Sequence, residues 1–386
     1  MTLAIPLLAT AGFAVVTTEF VVVGILPLLA RDLDVSIAQA GLLLTIWAFT
    51  VAMCGPPLTA MLGGVERRTL FATVMLLFAI ANVIAALAAN IWVLGSARVV
   101  AALALPVFWS MANETAARIA GPERAGKAVA QVFFGISAAT VLGIPIGTFA
   151  AESFGWRAMF LGIAALCLVI AVLLALHFPR ISGVHQGFAA QAALLRRPLF
   201  LAHLGLAALS FTAMFTGYTY LADMLQRLGG FDGHMVGLIL VGFGAIGLIG
   251  NWLGGIMVDR HPLGATALSM AAGALAMAVL APSFSSPALL VAVLALWGAA
   301  HAATFVTNSV RVMKAGSEAP AFAMAVTASV CNVGIGLGAI IGGQVIDTIG
   351  LGRLGFVGAA AGVVSLSAAL LLWLVFYRPT GPAHAA

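Results

Sequence analysis

Twelve apolar runs, each long enough to cross a bilayer, constrain this chain more than any other feature. Charges, prolines and glycines divide it at approximately 4–29, 38–62, 69–89, 92–117, 126–150, 157–178, 199–223, 234–257, 264–282, 287–311, 321–346 and 353–377. A helix of about 20 apolar residues spans the hydrocarbon core. Of 386 residues, 63% are hydrophobic and 8% charged, against about 25% charged in a soluble domain. A soluble fold of this size could not hide so much apolar surface. The sequence therefore predicts an all-α, multi-pass integral membrane protein whose surroundings are lipid. The first run, from Leu3, leads straight into Glu19 and reads as a retained helix, not a cleaved signal. Cys54, Cys167 and Cys331 each lie inside an apolar run without disulfide or zinc spacing, so they read as small core hydrophobes.

Most connections are very short. The exception is "PRISGVHQGFAAQAALLRRP", residues 179–198, in the middle of the chain. It reads as a cytoplasmic linker between two six-helix bundles, residues 1–178 and 199–386. The two halves also repeat. Sliding by about 195 positions lays "GIPIGTFAAESFGWRAMF" over "GAIIGGQVIDTIGLGRLGF", matching Gly143 to Gly338, Gly147 to Gly342, Glu152 to Asp347 and Gly155 to Gly350. One inserted residue later Arg157 meets Arg353, and the same slide sets Asn113 on Asn308. An even number of spans per half makes the repeats parallel. In parallel-repeat transporters the substrate site lies at the repeat interface near mid-membrane.

Basic residues set the orientation. With the N-terminus inside, Arg67, Arg68, Arg118, Arg124, Lys127, Arg180, Arg196, Arg197, Arg260, Arg311, Lys314 and Arg378 fall in inner loops or the C-terminal tail. Only Arg31, Arg157, Arg227 and Arg353 fall in outer loops. Both termini are expected in the cytoplasm and the protein in the inner membrane. The net charge of +5 thus concerns topology and carries no implication of nucleic-acid binding.

Two charges stand well inside the runs. Glu19 lies about 15 Å from the outer end of the first helix, at 1.5 Å per residue, and Arg98 about 10 Å into the fourth from the same side. Charges at such depth face a bundle interior and tend to pair, because hydrocarbon is costly for either. Burial favours the neutral carboxyl and a nearby guanidinium favours the carboxylate. Glu19 is therefore a candidate proton carrier, with a structural ion pair as the alternative. In "GISAATVLGIPIG", Gly135, Gly143 and Gly147 share a helical face that lets another backbone approach closely. Pro145 permits a bend.

"TTEF" in the first helix, "LGIPIG" followed by "FGWRAMF", and "GGIMVDR" after the eighth resemble the major facilitator superfamily, in particular its twelve-helix drug–proton antiporters. "VFWSMANETAARIAGPERAGKAVA" and "SVCNVGIGLGAIIGGQV" are most similar to bacterial sugar efflux transporters and their arabinose-export and chloramphenicol-exporter relatives. The resemblance covers both halves and implies the major facilitator fold, working by alternating access. It implies a proton-coupling role for Arg98, and a gating role for Gly143, Pro145 and Gly147, packed against the other half. At the inner loops it implies an acid latch. The second-half copy keeps Gly255, Asp259 and Arg260. The first has Gly63 where the acid is expected, leaving Glu114 and Arg118 to supply part of it. A cavity lined by helices 1, 4, 7 and 10 is implied, with Trp109, Asn113, Phe215, Tyr218, His301 and Asn308 as candidate lining residues; helix packing is the plainer reading for each.

No Walker A sequence, H-E-x-x-H pair or Ser/Cys/His spacing points to an enzyme. Rings of charge or a carbonyl filter, which a channel needs, are missing too. A receptor of transporter ancestry would be expected to carry signalling segments, and both tails are short. Neither cofactor nor metal is expected, and a monomer is the expected state. What remains is proton-coupled efflux of small neutral or amphipathic solutes, sugars or chloramphenicol-type drugs among them. Uniport or proton symport of a sugar or nucleoside is the alternative.

Overall fold

The computed structural model describes residues 3–121, 124–183, 192–318 and 320–377. Among these every regular element is helical, and twelve helices are long and apolar enough to cross a membrane. They are α1 (Ala4–Asp32), α2 (Ile37–Leu62), α3 (Arg67–Ala86), α4 (Ile91–Ala120), α5 (Ala125–Ala138 continued by Ile144–Phe154), α6 (Trp156–His177), α7 (Pro198–Tyr218 continued by Leu221–Arg227), α8 (Gly233–Arg260), α9 (Pro262–Ser283), α10 (Pro287–Ala315), α11 (Pro320–Thr348) and α12 (Leu354–Phe376). Each matches one apolar run of the sequence. Arg378, the side chain of Lys127 and linker residues 184–191 lie outside the described residues.

Local chemistry starts the helices. Ser36 and Gln39 form a reciprocal capping box at α2, Asn90 accepts from Trp92 and Val93 at α4, and Asp232 accepts from Met235 at α8. Proline opens α7, α9 and α10, where its missing N–H has no helical partner to lose. Large apolar side chains such as Val363, Leu370, Leu371 and Val375 on α12 stand exposed, as a lipid-facing surface requires.

Each bundle closes through small residues. A methyl group on Gly143 or Gly147 of α5 would strike Thr17 or Val21 of α1, and one on Gly338 or Gly342 of α11 would strike the main chain of Thr212 or Thr216 of α7. All four partners in each bundle move by the same 195 positions, so the repeat is a repeat of contacts as well as letters. Gly155 and Gly350, which precede α6 and α12, also share a left-handed backbone, with φ of 86° and 91°. An L side chain there would be strained.

Two helices depart from the unbroken runs expected. In α5 a π turn, Ala139–Gly143, precedes Pro145. The extra residue in that turn absorbs the backbone offset that a proline, lacking its N–H, imposes. In α7 the helix stops at Tyr218 and resumes at Leu221. Gly217 sits against Trp297 there, and the Tyr220 hydroxyl donates to the carbonyl of Ala339 at 2.7 Å.

We call the end carrying Gly155, Gly233 and Gly350 the outer end, following the charge pattern. There α8 meets α5 across the bundles: Gly237 lies beside Pro145 and Phe149, and Gly244 beside Thr140 and Val141. Farther in, Gly250 and Gly254 turn to Ala299 and Ala303 of α10. Helices α2 and α11 meet from Ala38 and Gly343 to Gly55 and Ser329. The inner half of α5, Ala125–Ala138, packs on α1 and α4 of its own bundle.

Candidate functional site

Glu19 and Arg98 meet as their matching depths predict, but not as an ion pair. The Arg98 guanidinium donates to the main-chain carbonyls of Thr18 and Glu19, the latter at 2.7 Å. No ion pair to the Glu19 carboxylate occurs among the described residues. Arg98 also stacks on Trp47, its guanidinium carbon 4.0 Å from the ring centre. The Trp47 indole lies beside the Glu19 carboxylate, yet its N–H makes no hydrogen bond of normal geometry. Asn82 of α3 completes the group by donating to the Thr18 hydroxyl at 3.3 Å. Glu19 is 8% exposed and Arg98 2%. The pair is therefore largely enclosed among α1 to α4 in this conformation.

Next to Glu19, Phe20 reaches the other bundle, with its ring centre 6.0 Å from that of Phe215. Phe215 belongs to a collar of rings on α7, α8 and α10 that surrounds His301: Phe215 at 5.6 Å, Tyr218 at 4.2 Å, Phe243 at 5.8 Å and Phe305 at 5.7 Å. His301 Nδ1 is buried without a hydrogen-bond partner. Trp109 stacks on Phe133 of α5 and covers Gly12 of α1. Asn113 leaves its side-chain oxygen without a partner. Phe215, Tyr218 and His301 thus gather beside Phe20 where the bundles meet, while the contacts of Trp109 lie within the first bundle.

Asn308 does not join them. It is fully enclosed and accepts from Arg311 at 2.6 Å. Arg311 itself is 1% exposed and lies inside the second bundle, although its place at the end of a run reads as a loop charge. Its guanidinium donates to the Thr266 hydroxyl at 3.3 Å and to His203 Nδ1 at 2.6 Å. Because arginine can only donate, His203 Nδ1 accepts and its Nε2 carries the hydrogen, which it donates to the Tyr377 hydroxyl at 3.0 Å. Sequence reading missed this knot. The signal available was Asn308 one turn before Arg311. Asp223, also enclosed, pairs with Arg227 at 3.4 Å. Glu19 and Arg98 are accordingly not alone among buried charges.

At the inner end Glu114 joins two arginines of the first bundle. It pairs with the buried Arg67 at 2.8 Å and with Arg118 at 3.5 Å. Arg67, read from sequence as a loop charge, also donates to the carbonyl of Gly63. The start of the linker docks here: Arg118 donates to Ser182, Arg67 N–H donates to Ile181, and Gly183 rests on the main chain of Gly63 and Gly64. Partial burial works to raise the Glu66 carboxyl, but hydrogen bonds from Thr69, Arg68 and Ile181 outweigh it and hold the group below the usual carboxylate range. In the second bundle Asp259 is 78% exposed and pairs with Lys314 at 3.5 Å; no ion pair joins it to Arg260 among the described residues. Gly255 faces open space.

The α5 glycines require a correction. Gly135, Gly143 and Gly147 all face α1 of their own bundle, not the other half. Glycines that admit the other bundle lie on α8, at Gly237 and Gly244, and on α2 and α11, where Gly41 meets Tyr220 and Gly336 meets Phe49. Two recesses stand out: an apolar one of about 280 Å³ between α1, α5 and α6, and a polar one of about 380 Å³ between the bundles at the outer end.

A twelve-helix protein of two repeated bundles, meeting at an aromatic seam beside buried charge, is built as a transporter. The chain belongs to the Major Facilitator Superfamily, whose family model matches residues 8–339. A bacterial homologue of the human lysosomal transporter Spinster, inward-facing and occupied, superposes with a TM-score of 0.81 at 17% identity over 96% of each chain. An unoccupied inward-facing structure of such a homologue gives 0.73 at 17% identity, over 95% of this chain and 94% of that one. A mutant of the nucleoside transporter NupG gives 0.75 at 16% identity, over 96% of this chain and 98% of that one. At such identities the likeness concerns the fold.

Proposed function

We propose that the protein is a proton-coupled efflux antiporter of the drug–proton type, exporting small neutral or amphipathic solutes such as sugars or chloramphenicol-type drugs. It sits in the inner membrane with both termini cytoplasmic, performs no chemistry on its cargo, and works as a monomer. The bundles 1–178 and 199–386 rock about the aromatic seam to give alternating access.

One observation carries this reading. The Arg98 guanidinium is occupied by carbonyls of α1, which leaves the buried Glu19 carboxylate without an ion-pair partner among the described residues. A charged carboxylate so placed is costly, whereas a protonated one is not. Glu19 holds a proton while enclosed and releases it when motion of α1 admits water. The Phe20–Phe215 contact ties that motion to the opposite bundle. His301, Trp109, Asn113, Phe215 and Tyr218 receive the solute, because rings with a few unpartnered polar atoms suit an uncharged amphipathic molecule.

The test is proton movement in everted vesicles with an acid interior, scanning sugars, nucleosides and chloramphenicol-type compounds. A compound that dissipates the gradient with wild type but not with Glu19→Gln is the expected result. Equilibration of a labelled sugar without any proton movement would make the protein a uniporter.

A further inference from the structure

We propose that Glu152 is a proton-sensitive positioning residue that holds the outer end closed by resting its carboxylate against the first turn of α8. The inference goes beyond Glu19 but rests on the orientation and proton coupling proposed above.

The contact is direct. A methyl group built on Gly233 would run into the carboxyl carbon and Oε1 of Glu152. Gly233 is the first residue of the 28-residue α8. The first N–H groups of a helix lack intrahelical partners, and the positive end of its dipole lies there. Asp232 satisfies the N–H of Met235 at 2.7 Å. The carboxylate of Glu152 adds a second negative group at the same terminus.

The contact also crosses the molecule, since Glu152 closes α5 of the first bundle and Gly233 opens α8 of the second. It exists only while these ends are together. One turn away, the rings of Phe149 and His234 lie 5.0 Å apart across the same seam. The polar recess lies here, lined by Leu28, Arg31, Glu152, Gln226 and Asp232 among others. The repeat sets Asp347 at the matching end of α11, whose Gly343 lies against Ala38 in the first turn of α2.

The charged and titratable neighbours are Arg31 from α1 and Asp232 and His234 from the start of α8; α7 contributes the neutral Gln226. Attraction between carboxylate and helix terminus favours the closed end. Protonation of Glu152 from outside removes it, so acid outside releases the outer gate. Protonated His234 would place positive charge on the same helix terminus and push the same way, so the two must be separated.

A Leu28→Cys reporter, labelled by a membrane-impermeant maleimide in right-side-out vesicles with equal pH on both sides, reads outer opening without any substrate. Parent protein lacking the reporter gives the background from native cysteines. Rates are compared between variants at one pH, which cancels the thiol's own titration. Glu152→Gln is expected to label about two- to fivefold faster than wild type at pH 8, the range a charge at a helix terminus supplies, and equally at pH 5. His234→Gln is expected to leave that ratio intact. Gly233→Ala is expected to label fast at both pH values, and Glu152→Ala added to it, which relieves the clash but lacks the carboxylate, to bring the rate down only to that of Glu152→Gln. Equal rates for Glu152→Gln and wild type at every pH would overturn the proposal, as would a pH dependence abolished by His234→Gln alone. Labelling from the opposite face only would overturn the orientation, while the ratio would still read the latch.

Discussion

Arg98 holds Glu19 by its main-chain carbonyl and leaves its side chain alone. The two residues are thus joined structurally and separable chemically. Arg98→Ala removes two hydrogen bonds to carbonyls that keep their helical partners in α1, at about 0.5–1.5 kcal/mol each, so a loss of roughly 1–3 kcal/mol is expected in thermal unfolding in detergent. Glu19→Gln keeps size and hydrogen-bonding capacity and should cost under about 1 kcal/mol. If the two substitutions destabilise equally, the carboxylate is part of the scaffold.

At the inner end, Glu114→Gln strips the countercharge from a fully buried guanidinium. A loss of about 1–3 kcal/mol is expected, discounted from a fully buried pair because the Glu114 side chain is 25% exposed. Arg118→Ala removes an exposed pair one turn apart and should cost no more than about 0.5 kcal/mol. Chemical denaturation of both variants distinguishes them.

Glycine substitutions should divide by contact. Gly338→Ala drives a methyl group to 2.6 Å from the Thr212 carbonyl oxygen, and overpacking of this kind costs about 1–3 kcal/mol. Gly205→Ala and Gly162→Ala, which meet nothing within 4 Å, should stabilise by about 0.5–1 kcal/mol through helix propensity. Melting temperatures that move the same way in all three would contradict the packing described.

Glu66 predicts a pH effect with a definite sign. Its carboxyl is held below the ordinary value of 4.5 by hydrogen bonds that exist only in the folded chain. The contribution is therefore fully present above about pH 4.5 and is lost as pH falls through the lower folded value. Glu66→Gln should be less stable than wild type at pH 6, with the gap narrowing in acid. Unfolding midpoints at a series of pH values check this, and a gap that widens in acid would contradict it.

All twelve spans were legible because lipid demands length and apolarity at once, and few sequences meet both by accident. The repeat was legible at Gly143, Gly155 and their partners, because close approach and left-handed backbone admit glycine almost alone. Direction was harder to read. Spacing puts Gly143 and Gly147 on one face but does not say which neighbour that face meets, and it proved to be α1. Arg67 and Arg311 were misread for a related reason: a cation at the end of an apolar run looks the same whether it faces solvent or turns inward to Glu114 or His203. Asn308 was misplaced with Arg311. The break in α7 lies within an apolar stretch that continues unbroken in letters, with Thr219 and Tyr220 satisfying the freed backbone.

The Arg311 knot also has an electrical side. The second bundle encloses a permanent cation near the inner end of α10 that no acid neutralises among the described residues. One elementary charge carried across the full membrane exchanges about 2.3 kcal/mol per 100 mV. If rocking displaces Arg311 through about a tenth of that field, the two access states differ by about 0.2 kcal/mol per 100 mV. The membrane voltage then acts as a weak partner of the proton gradient in setting which way the transporter rests.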